Sequence, residues 1–266
     1  MTQELKFAIK LAKEAGKIIM NGLDKVIIER SKLDKRDICT NIDEKVEKML
    51  VSRIKKQYPH HKIYGEEYGK IKGESDYVWI IDPLDGTKYY SSGIKLFDVS
   101  IALWKGNLPI AGVVYLPATN DIYFAERGIG AFCNQKRIKV SGINKLSDSI
   151  IYLDITGSNK PKPNEQKTAM ERLRLIFENV YRFRAFGLGA VACCYIAQGG
   201  LEGYFDLTGK EKILDIAAGI TVAKEAGAKI TGLDGKYHGQ NTSHVVITNG
   251  KIHNEFLKLL NIKREG

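Results

Sequence analysis

The chain has 266 residues, of which 44% are apolar, which suffices for one large or two small domains around a substantial core. No run approaches the roughly 18 uncharged apolar residues of a membrane span, and the opening "MTQELKFAIKLAKEAGKIIM" is charged throughout, unlike a signal peptide, so a soluble cytoplasmic protein is expected. The net charge of +10, from 41 Lys and Arg against 31 Asp and Glu, suits nucleic acid or an anionic small molecule, but its lysines (Lys10, Lys13, Lys17, Lys32, Lys35, Lys55, Lys56) are scattered, so charge alone names no partner.

Residues 2 to 21 place Leu5, Ala8, Ile9, Ala12, Ala15, Ile18 and Ile19 at spacings of three and four, the pattern of an amphipathic helix. A short strand, "KVIIERS", follows. Thr40 is placed to cap a second helix, with Asp43 and Glu44 in its first turn, Ile42, Val46, Met49, Leu50 and Ile54 on its buried face and an end before Pro59.

Between 62 and 153 the texture changes to short β-rich segments ("KIYGEE", "YVWIID", "DVSIALW", "AGVVYLP", "DIYFAE", "GAFCN", "RIKVS", "SIIYLD") separated by Gly, Asn and Pro, which predicts a mostly antiparallel sheet. A polar-faced helix over 164–179 and the strand "NVYRFRAF" come next, followed by the helix "LGAVACCYIAQ" and the strand "LEGYFD". The helix "ILDIAAGITVAKEAG", the strand "SHVVITN" and the helix "HNEFLKLLNI" complete an α/β half. The expected organisation is a single unit over 1–266, with an N-terminal α+β half to about residue 155 and a C-terminal α/β half from about 156, where the loop "TGSNKPKPNEQ" begins.

Chemistry concentrates in "VWIIDPLDGTKYY", residues 78 to 90. The strand delivers Asp82 at its carboxyl end, and the Pro-Leu turn brings Asp85 round three residues later. Two carboxylates in one small volume repel, and a hard divalent cation such as Mg²⁺, which takes oxygen ligands, resolves the conflict. The carbonyl of Leu84 is a natural further ligand. Gly86 lets backbone approach a ligand closely, and Thr87 opens a short helix whose N–H groups suit phosphate oxygens. The other reading at this point is that Asp82 caps the turn and Asp85 the helix, with no metal at all.

Other acids bear on that choice. Glu66 and Glu67 follow a strand in "YGEEYG", where adjacent acids also suit a solvated turn. Asp215, in "ILDIAAG", sits among apolar residues where an unpaired carboxylate is costly to bury, although it too could cap a helix. The four cysteines (Cys39, Cys133, Cys193, Cys194) have no zinc-binding spacing, and Cys193 and Cys194 read as core.

"GEE" after a strand, "WIIDPLDGT" and the downstream "LDIAAG" resemble the three signature blocks of the inositol monophosphatase family of Mg²⁺-dependent, lithium-inhibited phosphatases; "GVVYLP", "IYFAERGIGAFCN" and "YIAQGGLEGYFD" share its texture. The resemblance implies a mixed α/β fold, the layered α/β/α/β/α sandwich of the inositol monophosphatase and fructose-1,6-bisphosphatase type, as a homodimer, and a small phosphorylated metabolite as substrate. It implies two or three Mg²⁺ ions, the first held by Glu66, Asp82 and the Leu84 carbonyl, the second by Asp82, Asp85 and Asp215, with Glu67 or water at a third. It also makes Thr87 and Asp43 the pair that activates water, although a first-turn acid such as Asp43 is favourable on helix-dipole grounds alone.

Substrate contacts are expected from Asp85, Gly86, Thr87, Lys88, Gly187, Gly189 and Asp206. Here the chain departs from the pattern. "FGLGAVACC" places Leu188 at a hydroxyl position and Ala192 at an acid position, Leu214 replaces the tryptophan of a more usual "WD", and an insertion in "YFDLTGKEKILD" leaves Asp206 and Glu211 as rival candidates. Lys88 resembles the branch that hydrolyses 3'-phosphoadenosine 5'-phosphate, and inositol 1-phosphate is the default substrate. A binding role toward RNA or the transcription machinery, as some bacterial relatives have, is the alternative of another class.

Overall fold

The computed structural model describes residues 1–23, 26–31, 38–155 and 162–261. Parts of "KVIIERS" and most of the 156–166 loop therefore lie outside the described residues.

Helix α1 (Gln3–Gly22) starts where the Thr2 side chain accepts from the Leu5 N–H, and α2 (Asn41–Gln57) starts at Thr40. A minimal strand pair, β1 (Ile28–Ser31) and β2 (Ile38–Thr40), connects them. Both helices lie on one face of an eight-stranded sheet made by β3 (Lys62–Gly65), β4 (Lys70–Ile71), β5 (Tyr77–Asp85), β6 (Asp98–Lys105), β7 (Leu108–Leu116), β8 (Asp121–Glu126), β9 (Gly130–Cys133) and β10 (Lys136–Ile138). Its strand order is β10-β9-β8-β7-β6-β5-β3-β4, antiparallel throughout except where β3 runs parallel to β5.

The antiparallel texture expected as far as 153 ends at residue 138. Strand β11 (Ile150–Asp154) instead joins a second sheet, parallel to β12 (Arg182–Arg184) and β13 (Gly203–Asp206), with β15 (Val246–Thr248) and β14 (Lys229–Thr231) completing the order β12-β11-β13-β15-β14. Helices α5 (Gly189–Ala197) and α6 (Ile213–Glu225) fill the space between the sheets, and α4 (Pro163–Asn179) and α7 (His253–Leu260) cover the far side of the second. The layers run α/β/α/β/α.

This layering explains the uninterrupted apolar run of β5. Trp79 and Ile81 enter the core under α1 and α2, while Ile80 enters the core shared with α5 and α6, so both faces of the strand are covered. The same sandwiching accounts for α5 and α6: small residues (Ala190, Ala192, Ala217, Ala218) let the helices sit close together, and Cys193 and Cys194 are wholly buried among them. Among the described residues no helix is long and apolar enough to cross a membrane.

Candidate active site

The carboxyl end of β5 meets the first turn of α6 and the first turn of α2, and the acids gather there. Asp82 is 2% exposed, and its Oδ1 accepts from the Leu84 N–H at 3.0 Å, so the side chain does form the turn that a purely structural reading assigned to it. Asp85 closes the turn with its Oδ2 cut off from solvent and without a hydrogen-bond partner. Gly86 adopts φ +88°, in the left-handed region, and a Cβ there would stand 2.7 Å from the Leu96 carbonyl, so both backbone shape and space demand glycine. Helix α3 (Thr87–Ser91) follows at once.

Thr87 links the turn to α2. Its hydroxyl donates to Asp43 Oδ1 at 2.8 Å and lies 3.0 Å from the Leu84 carbonyl. Asp43, fully buried, also completes a capping box in which Oδ2 accepts from the Thr40 N–H at 2.8 Å while Thr40 Oγ1 faces the N–H groups of Ile42 and Asp43. Burial raises the Asp43 carboxyl above the usual range, against the opposing effect of its bonds to Thr40 and Thr87.

Glu66 reaches the same volume, for its charge acts on Asp43, Asp82, Asp85 and Asp215. The turn that carries it is held by Glu47, a wholly buried residue of α2 whose carboxylate accepts from the Glu67 N–H at 2.7 Å and the Tyr68 N–H at 3.0 Å. Burial is also the largest influence on Asp82, Asp85 and Asp215, and mutual repulsion adds to it. All three carboxyls lie above their ordinary range, Asp215 being pushed up to about 7 despite Lys212 beside it. Glu66, Asp82, Asp85, Asp215, Asp43 and Thr87, spread over 173 residues from 43 to 215, are thus brought together.

The orphaned oxygen of Asp85 and this stack of repelling carboxylates, all hard oxygen donors, fit a divalent cation. Among the described residues no three His, Cys, Asp or Glu side chains yet converge on one point as in a formed metal site.

The expected substrate contacts divide. Lys88 is exposed at the start of α3, and Gly187 is exposed before α5. Gly189 is buried where a Cβ would come within 2.5 Å of Ile216, which makes it a packing residue between α5 and α6. Asp206 is occupied: its carboxylate accepts from the N–H groups of Gly209 (2.8 Å), Lys210 and Glu211 (both 3.3 Å) and shapes that loop. Its rival Glu211 lies instead against Asp154 at the end of β11, both within electrostatic reach of Asp215. Leu188 is buried, with its N–H on the Tyr152 hydroxyl at 3.1 Å.

Sequence reading missed Asp154, Glu47 and Asp98. Asp98 and Asp154 interrupt or end apolar strands, "FDVSIALW" and "IIYLD", and an acid at a core position of a strand was the available signal.

The profile of the inositol monophosphatase family matches residues 1–265. The chain belongs to this family. Among its relatives, the Nus factor SuhB of Vibrio cholerae is 36% identical over 245 residues, which cover 91% of this chain and 90% of that one. The fructose-1,6-bisphosphatase/inositol-1-monophosphatase of Thermotoga maritima is 34% identical over 261 residues, 97% of this chain and 95% of the relative. The crystal structure of the extragenic suppressor protein suhB from Bartonella henselae, 29% identical, superposes with a TM-score of 0.86 over 98% of this chain and 99% of the other. The family's fold is therefore that of this chain, and membership supports a phosphatase.

Proposed function

We propose that the protein is a Mg²⁺-dependent phosphomonoesterase acting on a small polyol or sugar phosphate, with inositol 1-phosphate the first candidate. The observation that carries this reading is the cluster of Asp82, Asp85, Asp215 and Glu66, buried or half-buried against one another, with Asp85 Oδ2 unpaired. In this reading Glu66, Asp82, the Leu84 carbonyl, Asp85 and Asp215 hold two cations and Glu67 borders a third site. Bound Mg²⁺ neutralises the phosphate, acidifies water and stabilises the leaving alkoxide.

The remaining work falls to the chain. The Thr87 hydroxyl, donating to Asp43, leaves its lone pairs free to accept from an attacking water and fix its direction. Asp43, its carboxyl raised by burial, is a better proton acceptor near neutral pH than an exposed aspartate. Gly86 admits the phosphate close to the backbone, and Gly187 borders the approach. Glu211 and Asp154, which lie against each other within electrostatic reach of Asp215, are the acids placed nearest the cluster for a substrate hydroxyl, with Asp206 behind them in the loop. The same reading covers a single folding unit over the chain, a homodimer, and the cytoplasm as its place.

The test is phosphate release from inositol 1-phosphate, fructose 1,6-bisphosphate and 3'-phosphoadenosine 5'-phosphate, with Mg²⁺, with EDTA and with Li⁺. Metal-dependent, lithium-sensitive release is expected. Preference for the nucleotide would move the protein to the nucleotidase branch, which exposed Lys88 beside the turn favours. A second reading, binding to RNA or the transcription machinery, is favoured by relatives named Nus factor SuhB and by the +10 charge. It predicts RNA affinity that falls steeply with salt.

A further inference from the structure

Asp98 is a carboxylate without a purpose in anything described so far. It opens β6 opposite Asp85, just past the irregularity in the β5–β6 register. It is 0% exposed, and both Oδ1 and Oδ2 are buried without a hydrogen-bond partner.

Strand alternation directs Asp98 to the same face as Ala102 and Trp104, toward α5 and α6, while Val99 and Ile101 face the α1–α2 core. There it comes within electrostatic reach of Asp215 in the first turn of α6 and of Cys194 and Tyr195 on α5, and it acts in turn on Asp82 and Asp85. The charged side chains that act with it, Asp215, Asp82 and Asp85, all carry the same sign.

An apolar residue at this position would complete β6 at no electrostatic cost, whereas an unpaired carboxylate in the interior is among the most expensive groups to bury. Burial of this kind is tolerated where a cation compensates it. Asp98 stands across the β5–β6 pairing from Asp85, outside the turn that carries Asp82 and Asp85, and within electrostatic reach of Asp215, which is the place of a counter-charge beside the ligands.

We propose that Asp98 is a buried counter-charge of the cation site, which adds a negative charge behind Asp85 and Asp215 and tightens the hold on a divalent cation there. The inference rests on the Mg²⁺ reading above. It adds to it a residue outside the expected ligand set of Glu66, Glu67, Asp82, Leu84, Asp85 and Asp215.

The experiment is calorimetric and thermal-shift titration of the full chain with Mg²⁺, comparing wild type, Asp98→Asn, Asp98→Ser and Asp82→Asn. Both Asp98 variants should melt no lower than wild type without metal, because a buried carboxyl that nothing in the chain partners is gone. Their Mg²⁺ dissociation constant should rise about tenfold, the low end of what removal of an outer partner of a metal site costs. Wild-type Mg²⁺ affinity in folded Asp98 variants, with binding lost in Asp82→Asn, would overturn the role of Asp98 alone. Wild-type affinity in Asp82→Asn as well would overturn the cation reading and Asp98 with it. Lower metal-free melting of both Asp98 variants would show a structural group, and the counter-charge role would fall.

Discussion

Two sets of buried polar groups, in different layers of the fold, obey opposite rules. On the outer side of the second sheet, His253 is 0% exposed, and both ring nitrogens have partners at 3.0 Å, Nε2 at Thr231 Oγ1 and Nδ1 at Thr248 Oγ1. At the carboxyl end of β5, the carboxylates of Asp85 and Asp98 keep oxygens that nothing in the chain satisfies. Nature completes the first from within the protein, so its purpose is packing. The second is left open by the chain among mutually repelling acids, the pattern expected of groups that a bound cation completes.

Mutation should separate the two most strongly. Asp85→Asn removes an expected ligand and should lower phosphate release by more than about 100-fold, beyond the range for an outer partner of a metal site, while far-UV circular dichroism stays native. Activity within a few-fold of wild type would remove Asp85 from the site. His253→Ala should leave activity per folded molecule intact but destabilise the fold by about 2–4 kcal/mol, through a cavity and the loss of two buried hydrogen bonds. Denaturant titration reads that loss, and a neutral result would mean that the histidine pairing contributes nothing.

The pH response sharpens the contrast because its sign differs. Burial, and to a lesser extent Lys229, lowers the His253 pKa to about 4. The unfolded chain then binds the proton more readily between pH 6.5 and 4, and stability falls with pH in that window, by about 3 kcal/mol for a shift of this size. The acid cluster does the reverse. Asp215 is raised to about 7, so the folded metal-free protein takes up protons first, and this group adds stability as pH falls from about 7 toward the ordinary carboxylate range. Metal-free melting curves should show the acid-side gain shrink in Asp215→Asn, which leaves the raised carboxyls of Asp82 and Asp85, and persist in full in His253→Ala.

Smaller effects test the supports. Glu47→Ala frees the turn carrying Glu66 and should raise the Mg²⁺ requirement roughly tenfold; an unchanged requirement would make Glu47 a packing residue only. Thr40→Ala removes one partner of the capping box and should cost about 1 kcal/mol by thermal unfolding, with little change in Mg²⁺ affinity.

How much of this could be read beforehand depended on whether the cause was local. The Thr40 cap, the "DPLDGT" turn and the periodicity of α1 and α6 are decided by neighbours within a few residues, and all were legible. Strand β11 is a short apolar run ending in an acid, much like β8, and only its non-local pairing with β12 and β13 puts it in the second sheet. Strands β4 and β14, of two and three residues, are too short for a periodic signal. Asp98 and Glu47 belong to no turn, cap or motif. Their significance comes from groups 13 to 117 positions away (Asp85 and Asp215 for Asp98, Glu67 for Glu47), brought to them by sheet register and helix packing.

Helix α6 carries Asp215 while lodged between the two sheets, with β5, β6 and β7 on one side and β14 on the other. The last acid therefore meets the turn at Asp82 across a core that elements far apart in the chain build together. Such long-range closure is a slow event in folding. Any cation captured by all the acids together would thus select chains that have finished folding, and refolding in the presence of Mg²⁺ should slow the reopening of this joint more than it speeds its formation.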